Sequence, residues 1–556
     1  MTLRHRPHRI LFLPADDRPC SLTWPRLTCR MVDWDLLMPP PNMLGWFSEA
    51  GKADDLATWA VDAARDPLDG AVISLDMLAF GGAQAGRGPT TRTALAQQRL
   101  DGLALLREVV GPAPICAFSV ILGFDVMPRS DDSARFGRQL SEYSVLAAQA
   151  DSPGGEGSTE RLRELEASLP PAVLGEYLAI RARNHEINRR GIEELAARNL
   201  DLLVLVQDTA GPEGLHREEQ AELISLARSL GVEEKVVLCN AGSEIGMLLI
   251  ARLIHEHMGK VPTVRVIYHG GETCSQPAPG EDRTVAEQFA AMAAVMGARV
   301  VDDPHADITA LVNCPIAMGT QSLAVDTAYD ERRSALAALV ARYQEATAGR
   351  GLAIFDLAFA DGADEALVDA MVAAVKDFPR LLAFSGWQGG GNALAVGLAH
   401  AALRIIALQD KGAFDLAQVI AALTPMRYLA LLDALIESEK AHISLLFTRL
   451  IEDYCYNTQV RPQVEEHIVN IVRDSTVDLG EVHDRAERLM RELLTACAAD
   501  LWIESFLGRA SVSLGMEPNR SQLVLAELEE TRLSYPWRRL AEIDLTVTFG
   551  VELVAD

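Results

Sequence analysis

Carboxylates close four separate apolar runs of this chain, and an acid at a strand tip is placed to move protons or to grip hydroxyl groups. Leu202-Leu203-Val204-Leu205-Val206-Gln207 ends in Asp208-Thr209, and Arg9-Ile10-Leu11-Phe12-Leu13-Pro14 ends in Asp16-Asp17-Arg18-Pro19. Gly70 to Leu75 ends in Asp76, and Val236-Val237-Leu238-Cys239-Asn240 runs into Gly242-Ser243-Glu244. Asp208 in this position is a general base, a carboxylate that stabilises developing positive charge, or a cap on the following turn. Glu244 pairs with it as the second carboxylate of acid and base work across a glycosidic or similar bond. Alternatively, Ser243 caps the next helix and Glu244 is a first-turn acid favourable to its dipole.

The remaining candidates bind rather than react. Asp16, Asp17 and Arg18 make either a hydroxyl clamp or a self-satisfied ion cluster. Arg87, downstream of Asp76 and the Gly81-Gly82 pair, can hold an anion by two parallel hydrogen bonds or pair with Asp76. Glu213 and His216 share the loop after Asp208, and Asn313 ends another apolar run, where a turn-forming role competes. Trp387 can stack on a sugar face, and Gly389-Gly390-Gly391-Asn392 offers backbone amides, but no Walker lysine accompanies it. Asn392 completes the set of binding candidates.

Metal and cofactor are not expected. His255 and His257 stand two apart on a helical stretch and face apart, and His269, Glu272, Asp303 and His305 follow no ligand spacing. The Asp cluster keeps a hard cation such as Mg²⁺ as the competing reading.

Parallel α/β architecture would bring these tips together, because strand ends then share one edge. Apolar runs fall near 9–14, 70–75, 115–121, 202–206, 236–239, 263–268, 308–312, 352–355 and 381–384, with helical patterns between most of them. The expectation is a (β/α) barrel-like catalytic region over residues 1–400, with a sub-boundary near 260. The alternative is two open doubly wound α/β domains, the second starting near Val264. Residues 150–158 read as a loop or mobile excursion, and the charged helical sequence to about Arg190 makes a long crossover able to cover a pocket. Past His400 a helical subdomain is expected over 401–556, with a break at Pro425. It ends in a short β element at Leu540 to Phe549, which alternates with period two.

Composition narrows the function classes. With 51 Lys and Arg against 78 Asp and Glu, the formal charge of -27 disfavours nucleic acid and anionic membrane surfaces. The eight cysteines contain no C-x-x-C pair, and several lie inside apolar strands and read as buried thiols. No segment reads as a signal peptide or as the ~18 apolar residues of a membrane span, so a cytoplasmic location is expected. The expected partner is a small, sugar-like molecule, with homo-oligomerisation left open.

Leu13 to Pro19, Ser74 to Gly82, Arg183-Asn184-His185-Glu186, Gln207 to Ala210, Gly242 to Gly246, Ser385-Gly386-Trp387 and Tyr535-Pro536-Trp537-Arg538 together resemble a bacterial family catalogued as domain of unknown function 4127. The likeness covers almost the whole chain. It implies Asp-Asp where this chain has Asp208-Thr209, and Asp-Glu where it has Ser243-Glu244. Such pairs look like those of hexosaminidases in which one carboxylate orients the substrate's 2-acetamido group and its neighbour is the general acid. Thr209 cannot be that acid at neutral pH. The resemblance therefore implies that Glu244 protonates the leaving group, or that this member has changed substrate or lost activity. The expected function is a carbohydrate-active hydrolase, with N-acetylhexosaminides as the first substrate class. A metal-assisted lyase or hydrolase and a non-catalytic sugar-binding or regulatory protein are the alternatives.

Overall fold

The computed structural model describes residues 8–124, 131–150, 156–315, 329–347, 351–360, 362–375, 378–386, 389–412, 425–468, 479–514 and 520–555. Strands β1 (His8–Leu13), β2 (Trp34–Leu37), β5 (Gly70–Ser74), β6 (Ile115–Ile121), β7 (Leu202–Gln207) and β8 (Val236–Asn240) form one parallel sheet. Its order is β2-β1-β5-β6-β7-β8, and β3 (Gly45–Trp46) with β4 (Glu49–Ala50) makes a separate hairpin. Strands β9 (Thr263–His269), β10 (Arg299–Val300), β11 (Ile308–Asn313), β12 (Leu352–Asp356) and β13 (Ala383–Ser385) form a second parallel sheet, ordered β10-β9-β11-β12-β13. All nine apolar runs of the sequence are among these strands.

The closed barrel is corrected. In each sheet the chain lays its second strand on one side of the first and winds all later strands to the other side. This reversal leaves two unpaired edges among the described residues, so the sheet cannot close, and the molecule takes the alternative form of two open doubly wound sheets. The change of sheet falls between β8 and β9. In open sheets of this kind ligands sit outside the carboxyl ends of the strands, at the reversal point. For the first sheet that point lies between β1 and β5, where Asp16 to Arg18 and Asp76 to Arg87 emerge.

The two sheets share one layer of helices. Ile245–His257 is apolar and buried at every position from Ile245 to Ala251, as a helix without a solvent face must be, and its last turn, with Glu256 and His257, reaches solvent. A single apolar cluster joins Phe12 and Val72 of the first sheet to Ala310 and Phe355 of the second through Met247, Ile250, Leu394 and Leu398. Gly246 permits the close approach: a Cβ there would come within 2.7 Å of the Phe12 ring. Gly390–Gln409 is long and apolar enough to cross a membrane, which corrects the sequence reading, but 83% of that window is buried inside the protein, as in a core helix.

Residue 400 lies inside the helix Gly390–Gly412. A helix starts at Pro425, where the missing N–H costs nothing, and the expected helical stretch before it falls largely on residues outside those described. Pro425–Leu450 leads into a π-helix, Ile451–Val460. The terminal β element is larger than expected: β14 (Ala510–Leu514), β15 (Ser521–Ser534) and β16 (Asp544–Ala555) form an antiparallel sheet. Cys455 and Cys497 are bonded to each other, a pairing the spacing did not suggest, and the other six cysteines are free thiols, five of them buried.

Candidate functional site

The chain leaves β1 through Pro14 and turns at Asp16 before the helix Pro19–Met31. Asp16 is 4% exposed and accepts hydrogen bonds from Ser21 Oγ at 2.7 Å, Ser243 Oγ at 2.6 Å and Arg18 Nη2 at 2.7 Å. Burial pushes its carboxyl up, but Arg18 and the two hydroxyls outweigh this and hold it below the usual carboxylate range. Arg18 lies over the Trp537 ring at 4.7 Å, and the indole N–H of Trp537 donates to Asp17 at 2.7 Å. Arg539 lies over the same ring at 4.8 Å and is bidentate to Glu542, at 2.8 and 2.9 Å. The segment from Tyr535 to Glu542 thus caps the tip of β1.

Ser243 reaches Asp16 and Arg18 rather than capping a helix, and Ile245–His257 has no side-chain cap. Glu244 is 6% exposed, and its Oε2 has no hydrogen-bond partner among the described residues. The charges of Arg18 and Arg449 both act on it. At the tip of β8, both polar atoms of the Asn240 amide are also buried without partners among the described residues.

A turn from the second sheet meets these groups. Gly391 N donates to Glu281 Oε1 at 2.6 Å, leaving Glu281 Oε2 buried and unpartnered among the described residues. Gly391 packs on the Asn240 carbonyl, and Asn392 lies beside Gly242 and the Glu244 carboxylate. Burial pushes Glu281 up to about 7 despite the pull of the Gly391 and Gly390 amides. Its loop also touches the β7 tip: Ala210 N donates to Gly280 O at 2.8 Å, and the Thr209 methyl faces Gly280. Three incompletely bonded polar side chains, from β8, the helix after it and the loop after β9, therefore surround one glycine-rich turn. Buried polar atoms left without partners cost free energy that a ligand or water recovers.

Asp208 is 20% exposed and ion-paired with Arg87. Arg183, from the long crossover helix Pro171–Ala196, holds the Arg87 loop by donating to the Gly86, Gly88 and Thr91 carbonyls. Asp76 is buried and accepts from Val120 N at 2.9 Å, tying β5 to β6. Burial pushes it up to about 7 against that bond and the charges of Arg87 and Arg183. Its folded value lies above the ordinary 3.8, so its stabilising contribution is full below 3.8 and is lost as pH rises through about 7. Asp76→Asn keeps an acceptor for Val120 and removes the ionisation. Urea unfolding at pH 5 and pH 9 is expected to show the variant gaining roughly 1–4 kcal/mol on the wild type at the higher pH, at about 1.4 kcal/mol per pK unit. An unchanged gap would refute the assignment.

Other predicted residues stand apart. Glu213 is exposed and accepts from Gln149, away from the groups around Gly391. His216 is fully buried, bonded to the Gly211 carbonyl at 3.0 Å, and burial lowers it to about 4, so it packs as a neutral imidazole. Asn313 points to a second buried set, donating to Asp356 at 3.1 Å and Asp364 at 3.3 Å beside Arg332. Trp387 lies outside the described residues. His255 is buried against the Ala402 carbonyl at 3.2 Å.

Sequence reasoning missed Glu281 and also Arg449, Glu452 and Asp453. Arg449 lies over Trp24 at 4.1 Å, bonds Glu452 at 3.0 Å and pairs with Asp453, which accepts from Gly386 N at 2.7 Å. Burial pushes Glu452 up to about 8 and Asp453 up to about 7. The available signal was three charges inside the apolar run from Leu445 to Tyr456; Arg449 lies in the last turn of the helix Pro425–Leu450, and Glu452 and Asp453 open the π-helix, a form that marks functional sites.

Residues 10–546 match the model of a family described as protein of unknown function, DUF4127. The chain belongs to that family. No curated protein matches the chain. The DUF4127 match takes in every residue of the cluster, from Asp16 at the tip of β1 to Glu542 in the capping segment.

Proposed function

We propose that the protein is a carbohydrate-active hydrolase working through carboxylates at the carboxyl edge of the first sheet. The observation that carries this reading is the set of buried, incompletely bonded groups, Asn240, Glu244 and Glu281, around the turn Gly390 to Asn392. Hydrolysis of a glycosidic bond needs one carboxyl group protonated and one ionised. Glu281, held protonated to about pH 7 by burial, supplies the acid where Thr209 cannot. Glu244, buried beside Asn392 with one oxygen unpartnered among the described residues, is the second carboxylate. Asp208, partly exposed and paired with Arg87, orients the substrate. Asn240 and Asn392 bind hydroxyl or acetamido groups.

A panel of nitrophenyl glycosides, N-acetylhexosaminides first, tests the proposal on the purified full-length chain. Turnover unaffected by chelator is the expected result. Chelator-sensitive turnover would favour a metal-assisted enzyme. Sugar-induced thermal shift without turnover would leave only a binding protein.

A further inference from the structure

The edge of the first sheet opposite the candidate site carries a different constellation. His8 is the first residue of β1, Asp69 immediately precedes β5, and His257 is the last residue of the helix Ile245–His257. That helix runs back from the carboxyl edge after β8, so its end arrives beside the starts of β1 and β5. One donor atom from each of the three residues lies within 4.8 Å of the others.

We propose that His8, Asp69 and His257 form a binding site for a divalent transition metal, with Zn²⁺ the ion that suits the donors best. Two imidazoles and one carboxylate are a zinc donor set, and a fourth, open position would take water. His8 Nδ1 lies 3.3 Å from Asp69 Oδ1, close to the separation of two donors on a tetrahedral ion with bonds of about 2.0–2.1 Å. His257 Nδ1 lies 3.8 Å from the same oxygen, and its side chain is 36% exposed, so a small rotation closes the set.

Neighbouring groups hold the donors in place, as metal sites require. The other oxygen of Asp69 accepts from Arg9 N at 2.8 Å, and Asp69 N donates to the Arg9 carbonyl at 2.8 Å. Trp34, opposite His8 in the β1–β2 register, stacks on the His8 ring at 4.7 Å and meets the His257 ring edge-on at 5.1 Å. A bound ion would tie the starts of two central strands to the helix shared by both sheets. The ion would take no part in the proposed chemistry, since the donors sit at the strand starts and that chemistry at the strand tips.

The test uses the untagged full-length chain stripped with chelator, titrated with Zn²⁺ by calorimetry and followed by thermal unfolding, with Co²⁺ as a spectroscopic probe. One equivalent of Zn²⁺, a raised Tm and the visible absorption of a four-coordinate Co²⁺ site are expected. His257→Gln and His8→Gln should each weaken binding at least tenfold and remove the Tm rise, with far-UV circular dichroism unchanged. Asp69→Asn is a third probe that keeps an acceptor for Arg9. No stoichiometric binding by the wild type overturns the proposal. So does undiminished binding in the folded histidine variants, which would place the ion elsewhere, for instance at the partly exposed Cys274.

Discussion

Glu281→Gln is expected to lower kcat of the proposed hydrolase by about 10²- to 10⁴-fold, the usual worth of a positioned general acid. The amide side chain has nearly the same shape and keeps an oxygen for the Gly391 N–H, so the turn that presents it should survive. Only the transferable proton is lost. The wild-type rate should fall as pH rises through about 7, because burial holds Glu281 protonated below that value and ionises it above. The variant should lack this alkaline limb. Glu244→Gln should cost a comparable factor without removing the limb. Arg18 keeps Asp16, and Arg449 keeps Glu452 and Asp453, so neither guanidinium is stranded by the change. Steady-state kinetics across pH on the best panel substrate, with denaturant midpoints as a folding control, decide the matter. A folded Glu281→Gln enzyme with full activity would sink the assignment.

The strands were legible because their signal is local. Ile115 to Ile121 is apolar, bounded and the right length, and it is β6 residue for residue. Edge strands carry less of that signal: β2 includes Asp35, and β10 is only Arg299 and Val300. The long strand β15 holds Glu527, Glu529 and Glu530 on a half-exposed ribbon, a composition poor in β propensity. Open and closed sheets share one periodicity, so the winding reversal that rules out a barrel could be seen only in strand order.

The candidate site divides along the same line. Strand-tip acids such as Asp16 and Asp208 announce themselves by interrupting an apolar run. Their partners do not, since Ser243 meets Asp16 across 227 positions and no local pattern encodes that contact. Glu281 sits in a Pro- and Gly-rich loop of the second sheet and becomes relevant only once that sheet's edge lies against β7 and β8. Arg449, Glu452 and Asp453 have the spacing of an ordinary surface ion pair on a helix, and the apolar run around them is the one local sign of their burial. Tertiary convergence therefore explains why Asp208 alone looked incomplete.

Glu439→Gln is expected to destabilise the protein by about 3–5 kcal/mol, the cost of stranding buried charge. Glu439 is fully buried and takes two bonds from Arg404, at 2.6 and 2.8 Å, and one from Lys411, at 2.6 Å. Both cations lie on the core helix Gly390–Gly412 and the acid on Pro425–Leu450, so the triad pins the layer between the sheets to the C-terminal helices. Removing the acid takes from the Arg404 guanidinium its two hydrogen bonds to Glu439, and from Lys411 one, in a medium that cannot solvate the charge. The adjacent imidazoles bring no negative charge to replace the acid: burial and the nearby guanidinium keep His400 and His442 neutral, His400 down to about 3. Burial works against the Glu439 charge, but Arg404 and Lys411 overcome it and set the carboxyl far below its ordinary 4.5. A depressed carboxylate stabilises above its unfolded value and loses that contribution as pH falls toward its folded one. The wild-type advantage should thus be constant from pH 8 to about 5 and shrink below 4.5. Replacing Arg404, Lys411 and Glu439 together by apolar residues of similar volume should recover most of the loss, since desolvation rather than pairing sets the cost. Guanidinium unfolding of the single and triple variants across this pH range measures both effects. A single variant as stable as the wild type would show that the cations find other partners, and that the triad does not hold the two helices together.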